Sequence, residues 1–419
     1  MKLWRDHLRA SALCCAALLT LVPLTAQSEH VVGVFAPLTG PHAPIGRSMR
    51  NGVVLALEQA EDSGQFGDVR LSIRTLDDSG APKVVAAQVV KFVRDELAVL
   101  VIGPVVSAQA EAAADLANHA RFPLLAPGAS AGITATGRWA FRLTMSPYKT
   151  LHALAAHAMA TPLAVGAGSD AASGSGDART AARRLVLVQA KGNRGYASQA
   201  AEFRAAAVRA GANLVGVIDV DTGADFLVKV ANAVRDTGAN MVFFSMDAEP
   251  GAALAQAIAT LHGPMADALS SSAGATNRTG NASGPLFVFA PAAAQAALAR
   301  IGGAALEGAL TASDYLPEAL SERNQRFRTA YRKRFGEDAD AWAGTGFATG
   351  QVAVEAIRNA GPNPSAETVR LALERVNNLE TLMGQGRWQQ DASRNPTYTP
   401  QIYVMRGGQL VPVDAARAR

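Results

Sequence analysis

From Ala98 to Gly128 the chain reads AVLVIGPVVSAQAEAAADLANHARFPLLAPG. AVLVIGP (98–104) and PLLAPG (123–128) are short apolar runs closed by Gly and Pro, and Ser107 to Ala120 between them reads as a helix. Apolar runs of this length bounded by turn residues fit strands buried on both faces. A helix joining two such strands makes them parallel neighbours, because a parallel pair needs a crossover.

The same rhythm extends both ways. Upstream, VVGVFAPLTGP (31–41) is a buried-type strand running into a turn, followed by a helix from about Gly46 to Glu61 with Val53, Val54, Leu57 and Ala60 on one side. LSIRTLDD (71–78) alternates as a strand, and Pro82 opens a helix to about Asp95, proline being suited to a first helical position. WAFRLT (139–144) completes this half. Downstream come the strands RLVLVQA (184–190), NLVGVIDV (213–220), MVFFSM (241–246) and LFVFAP (286–291), with helices near 196–210, 225–236 and 251–262. After Pro317 the chain becomes mainly helical and ends in short strands around Gly386 to Trp388 and Gln401 to Met405.

So many β-α units predict an α/β fold of two Rossmann-like lobes, each a parallel sheet flanked by helices. The expected division is residues 29–146 with 313–382 in lobe 1, and 147–312 with 383–419 in lobe 2. The crossings that form a three-stranded hinge are expected near 145–148, 309–313 and 381–385. Two Gly/Ala/Ser-rich stretches without periodicity, 166–182 and 263–284, read as flexible surface insertions.

The first 28 residues read as a cleaved export signal. Lys2, Arg5 and Arg9 precede the uncharged stretch Ala10 to Leu24, and Ala26 and Ser28 suit cleavage before Glu29. An apolar run of this length suits removal better than membrane anchoring, the alternative. Cys14 and Cys15 leave with it, and neither follows a small-residue lipobox. The exported chain then has no thiol, disulfide or cysteine metal site and must be stable from its core alone. The formal net charge of +4 drops to +2 without the signal, leaving 36 basic and 34 acidic residues. Basic residues stand singly along helices such as Arg323 to Arg334, without aromatic interleaving, which argues against nucleic acid as a partner.

Chemistry concentrates at two strand-to-helix turns. Ser107 follows AVLVIGP at the start of a helix, and Ser130 follows PLLAPG at the next turn. Parallel sheets place such turns together at their carboxyl edge, where open α/β folds bind ligands. Free N–H groups at a helix start attract anions, so a small carboxylate held by Ser107, Ser130 and the Ala129 backbone is one reading. Two serines that only cap their own turns is the other. Gly128-Ala129-Ser130-Ala131-Gly132 also matches a hydrolase nucleophile elbow, but the following ITATGRW suits a turn rather than the long helix an elbow requires. GTGFATG (344–350) looks like a dinucleotide-binding pattern yet follows no strand, so close helix packing is the expected use of its glycines. Asp77 and Asp78 read as strand-end residues, and no histidine spacing suits a metal. No cofactor is expected.

Taken together, the exported start, VVGVFAPLTGP, NGVVLALE (51–58), LDDSGAPKVVAAQVV, the stretch from Gly103 to Thr134 and TLMGQGRW (381–388) resemble the leucine/isoleucine/valine-binding protein family in order and spacing. The likeness covers the mature chain apart from the two insertions. It implies the type I periplasmic binding protein fold, a monomer in the periplasm, and delivery of a small-molecule solute to the permease subunits of an ABC importer rather than catalysis. By position, Ser107 and Ser130 match family residues that bind the ligand carboxylate, and Gly128 and Ala129 match neighbouring backbone contacts. Arg194 and Tyr196 fall near an aromatic position that covers the ligand, and Asp247 falls at another. Two positions depart from the family: Ile45 replaces an aromatic at the cleft mouth, and Pro291 replaces the acid that binds the ligand ammonium. Asp247 or Glu249 then supplies that charge, or the solute is a carboxylate or amide other than an α-amino acid. A sensor of the same fold that controls a signalling partner, and a Ser130 hydrolase, are the other readings.

Overall fold

The structure is a computed structural model that describes residues 29–40, 42–67, 69–79, 98–128, 130–162, 183–223, 225–262, 284–291, 296–317 and 321–413, with scattered helical positions between 84 and 92. The expected export signal, most of the helix from Pro82, and the insertions 166–182 and 263–284 (its last residue excepted) lie outside the described residues.

The first sheet uses β1 (Glu29–Ala36), β2 (Arg70–Asp77), β3 (Leu100–Ile102), β4 (Leu124–Ala126) and β5 (Ala140–Arg142), with α1 (Ala43–Asp62) and α2 (Ser107–Ala120) among its connections. Its strands are parallel in the order β2-β1-β3-β4-β5. Then α3 (Pro147–Ala160) leads into β6 (Arg184–Ala190), α4 (Arg194–Arg209), β7 (Asn213–Val220), α5 (Phe226–Asp236), β8 (Met241–Ser245), α6 (Ala248–His262), β9 (Leu286–Phe289), α7 (Ala296–Gly302) and β10 (Leu310–Ser313). Three helices follow, α8 (Glu322–Phe335), α9 (Ala341–Asn359) and α10 (Ala366–Arg375). A small antiparallel pair, β11 (Leu379–Glu380) and β12 (Arg387–Trp388), precedes the closing strands β13 (Gln401–Arg406) and β14 (Gln409–Pro412). The second sheet runs β14-β13-β10-β9-β8-β6-β7, parallel except for the last two strands of the chain.

Continuous apolar strands arise because each sheet is covered on both faces. In β1, Val32 and Val34 enter a core with α8, α9 and α10, whereas Phe35 points to the opposite core with α2. In β6, Val186 and Val188 face the α5–α6 side, whereas Leu185 and Leu187 pack with Phe203 and α3.

The returning helices have legible boundaries. Ser321 caps α8 through the Asn324 N–H, Asp340 caps α9 through the Ala343 N–H, and Ser365 with Thr368 forms a capping box on α10. The expected packing role of GTGFATG is what the structure has. A Cβ on Gly346 would lie 2.0 Å from Met49 O, one on Gly52 would lie 2.1 Å from Ala343 O, and one on Gly350 would meet the Ala56 Cβ at 2.5 Å. α1 and α9 therefore touch backbone to backbone, which side chains at those positions would forbid.

One expected boundary differs. Met383, Trp388 and Tyr398 are buried in the first lobe's core, whereas residues from 383 onward are expected in the second lobe. The reason is a set of bonds to β5 and its flanks: Trp388 Nε1 donates to Leu143 O at 2.8 Å, and Arg394 donates to the Ala140 and Gly137 carbonyls. Only from β13 does the chain join the second sheet, beside β10. The chain thus passes between the cores at 145–151, 312–315 and 398–404, the last crossing later than the expected 381–385.

The α1–α9 contact sets a stability test. Gly346→Ala should cost about 1–3 kcal/mol in urea unfolding, the range for overpacking a close-packed site. Gly223→Ala, where an added Cβ meets nothing within 4 Å, should lie close to zero. Equal effects of the two changes would mean that the helices are free to separate.

Candidate functional site

A cavity of about 420 Å³ opens between the lobes. That is within the usual range for small-molecule sites. Its walls come from residues just past the carboxyl ends of seven strands, the edge at which open α/β sheets bind ligands. β3 supplies Val105 and Ser107, β4 supplies Pro127 and Gly128, and β5 supplies Thr144 and Met145. Across the gap, β6 leads to Tyr196 and Gln199, β8 to Asp247, β9 to Pro291, and β10 to Ser313, Asp314 and Tyr315. Ile45 of α1 with Ala341, Trp342 and Thr345 of α9 close one side.

Ser107 is the first residue of α2, not its cap. Val106 holds the cap position in extended conformation, and no side chain bonds to the helix end. The first N–H groups of the helix are left without a capping side chain, and Ser107 lines the cavity. Gly128 is buried in the facing turn, where an added Cβ would meet Ile133 at 3.1 Å. A negatively charged oxygen suits this corner, since the positive end of the α2 dipole reaches it.

Ser130 does something else. Its Oγ accepts the Gly132 N–H at 3.2 Å and donates to Glu111 Oε1, and it is not among the lining residues. The turn that follows is a single 3-10 turn, Ala131–Thr134, rather than the long helix of a nucleophile elbow. Ala129 and the side chain of Arg194 lie outside the described residues; Arg194 is placed only as the first residue of α4.

In the second lobe, Asn193 caps α4 by accepting the Tyr196 N–H, which fixes where the Tyr196 ring enters the cavity. Ser245 Oγ holds the Tyr196 carbonyl at 2.8 Å. The Tyr196 hydroxyl donates to Asp247 Oδ1. Burial first, and then that carboxylate, push the hydroxyl above the ordinary tyrosine range. Asp247 is exposed at the cavity. Glu249, the other acid considered for this role, lies 3.6 Å from Arg300 and does not line the cavity. Pro291 and Ile45 both line it.

Several lining residues carried no signal at the sequence level. Thr144 and Thr150 flank the first crossing, and Trp342 and Thr345 sit on a helix read only for its glycines. Asp314 was findable, being an acid just past a buried apolar strand. Among the described residues no cluster of His, Cys, Asp and Glu suits a metal, and no helix is long and apolar enough to cross a membrane.

Comparison with known proteins agrees with this architecture. The family model described as periplasmic binding protein matches residues 29–408. The Leu/Ile/Val-binding protein BraC3 of Rhizobium johnstonii is 31% identical over 115 residues, which is 27% of this chain and 31% of that protein. The match therefore spans about a third of the length of the curated relatives. Among solved structures, a putative branched-chain amino acid ABC transporter protein from Rhodospirillum rubrum superposes with a TM-score of 0.71 at 21% identity, covering 92% of this chain and 100% of that one. A solute-binding protein from R. palustris, solved in complex with benzoate, gives 0.66 at 18% identity, covering 92% and 96%. At these identities the two structures establish the shared fold.

The Tyr196–Asp247 pair is open to spectroscopy. Asp247→Asn should bring the ionisation of Tyr196 part of the way back toward the ordinary tyrosine range, because burial remains after the charge is gone. Ultraviolet pH titration of that variant against one that also carries Tyr196→Phe isolates the signal. An onset unchanged from the wild type would show that the carboxylate does not reach the hydroxyl.

Proposed function

The chain belongs to the periplasmic binding protein family, and on that premise we propose that it captures a small carboxylate-bearing solute between its lobes for the permease subunits of an ABC importer. The observation that carries this is the cavity itself, with the uncapped start of α2 and Ser107 on one wall and the Tyr196–Asp247 pair on the other. The solute's carboxylate belongs at the first wall, since Asp247 would repel it from the second. Apolar lining from Val105, Pro127, Met145, Pro147 and Trp342 suits an aliphatic or aromatic body. A hydroxyl, amide or amine at the far end would meet Asp247.

Pro291 brings no acid to the cavity, so an ammonium would depend on Asp247 or Asp314, the acids that line it, for its charge partner. A buried ammonium without such a partner is costly. An amino acid, or a related carboxylate or amide, is the solute class this favours. The likeness to Leu/Ile/Val-binding proteins and to a benzoate-bound neighbour supports both branches of that class. Closure of the second lobe over a solute docked on the first is the movement such an architecture uses, and the closed form is what importer subunits would read. The basic, apolar and small-residue order of residues 1–28 supports work in the periplasm, and the chain is taken to act there as a monomer.

A thermal-shift series on residues 29–419 with leucine, benzoate, 4-hydroxybenzoate and benzamide should raise the unfolding midpoint with at least one of the carboxylates. Ser107→Ala should then weaken that binding by about 1–3 kcal/mol, as for a lost hydrogen bond to a charged group. Ser130→Ala should cost less, its hydroxyl being engaged by Gly132 and Glu111. No shift with any of the four, or full affinity in Ser107→Ala, would remove this account of the site.

A further inference from the structure

Each of the three crossings between the lobes delivers one group to a single cluster, in which Met145 and Tyr398 are buried and Asp314 is half-buried. Met145 comes from the first, Asp314 from the second and Tyr398 from the third. The Met145 N–H donates to the Tyr398 hydroxyl oxygen at 2.9 Å. The Gly384 N–H donates to the Asp314 carbonyl at 2.9 Å, fastening the second crossing to the strap that leads to the third. Asp314 Oδ1 is shielded from solvent and has no hydrogen-bond partner among the described residues. Asp314 also lines the cavity, beside Thr144 and Met145. An acid is thus built into the floor of a site whose first wall is arranged for an anion.

We propose that Asp314 makes solute capture proton-coupled: when an anionic solute docks at the Ser107 and Gly128 turns, the Asp314 carboxylate takes up one proton from the solvent and becomes a neutral acid. This rests on the reading of the cavity as a carboxylate site. No other bond changes in the step; the proton moves from water or buffer to a carboxylate oxygen.

The groups that face Asp314 show why it is poised for this. Burial pushes its carboxyl up to about 6, against the opposing pull of the Tyr398 hydroxyl, the Met145 N–H and the charge of Arg142 from β5. Arg142 is itself buried, and burial lowers its own proton affinity, offset by Tyr398, Asp391 and Asp314. It is also shared, donating to Asn395 Oδ1 at 2.8 Å. At neutral pH the carboxyl is therefore mostly ionised while the cavity is empty. An arriving anion, and the loss of water as the lobes close, both disfavour that charge further. Asp247, the cavity's exposed acid, already accepts the Tyr196 hydroxyl and lacks this enclosure. If the bound state carries more protons than the free one, affinity must rise as pH falls through this range.

Benzoate is the probe, with benzamide as its neutral counterpart. Wild-type protein should bind benzoate roughly twentyfold more tightly at pH 5.5 than at pH 7.5, and benzamide should show a smaller change of the same sign, from closure alone. Asp314→Asn, permanently neutral, should show a flat benzoate profile at the tighter level, whereas Asp247→Asn should keep the slope. Calorimetry near pH 7 in two buffers of different protonation heat should find uptake approaching one proton in the wild type. That measurement needs no variant and stands even if Asp314→Asn fails to fold. Benzoate binding without proton uptake, or binding that tightens as pH rises, would overturn the proposal and leave the carboxylate site in place. Failure of leucine, benzoate and 4-hydroxybenzoate alike to bind would instead remove the site reading, and the proposal with it; if leucine alone binds, the two-buffer calorimetry is run with leucine and decides the proposal in the same way.

Discussion

The contact of α1 with α9, made without side chains at Gly52, Gly346 and Gly350, governs the geometry around the cleft. It brings the start of each helix to the same side of the cavity, so that Ile45 and the Ala341–Trp342–Thr345 group share one wall. Polar links hold the two in register: Ser48 donates to Asp340, whose carboxylate also caps α9 through the Ala343 N–H. The same helix leaves room at Gly344 for the Tyr315 ring, whose Cε1 lies where a Cβ would be. Tyr315 in turn donates to Asn324 at 2.7 Å, and the Asn324 amide bonds Pro317 O. A row of small residues thereby positions a whole wall and the second crossing.

The opposite side is organised by polar groups. The strap from Gly384 to Tyr398 lies along β5, held by Trp388 on Leu143 O, Arg394 on the Ala140 carbonyl and Asn395 on Thr134 and Arg142. Burying Arg142 is tolerable because Asn395 accepts from it and acids stand nearby. The strap sets the third crossing beside the first two, so Met145, Asp314 and Tyr398 meet. The cluster joins the two lobes and also lines part of the cavity.

Much of this was legible locally. AVLVIGP and PLLAPG are strands because an uninterrupted apolar run between turn residues has only one stable place, the middle of a covered parallel sheet. The glycines of GTGFATG announced close helix packing because no strand precedes them. Asp77 reads as a strand-end residue, and it accepts from Leu38, Thr39 and Ser79 there. Spacing could not tell a capping serine from a cavity serine: Ser107 and Ser130 look alike in sequence, yet only Ser107 lines the cavity. Nor could it assign the segment from 383, whose short strands and turns carry no period of their own.

The sequence by itself determined the α/β class, the two lobes and the strand ends at which a site would form. Those follow from periodicity, turn chemistry and motif order, which are properties of neighbouring residues. Only the tertiary structure decided which acids face the cavity, which lobe holds the strap, and that Asp314 stands where three distant segments converge. Burial and charge pairing are sums over groups far apart in the chain, and no local pattern carries them.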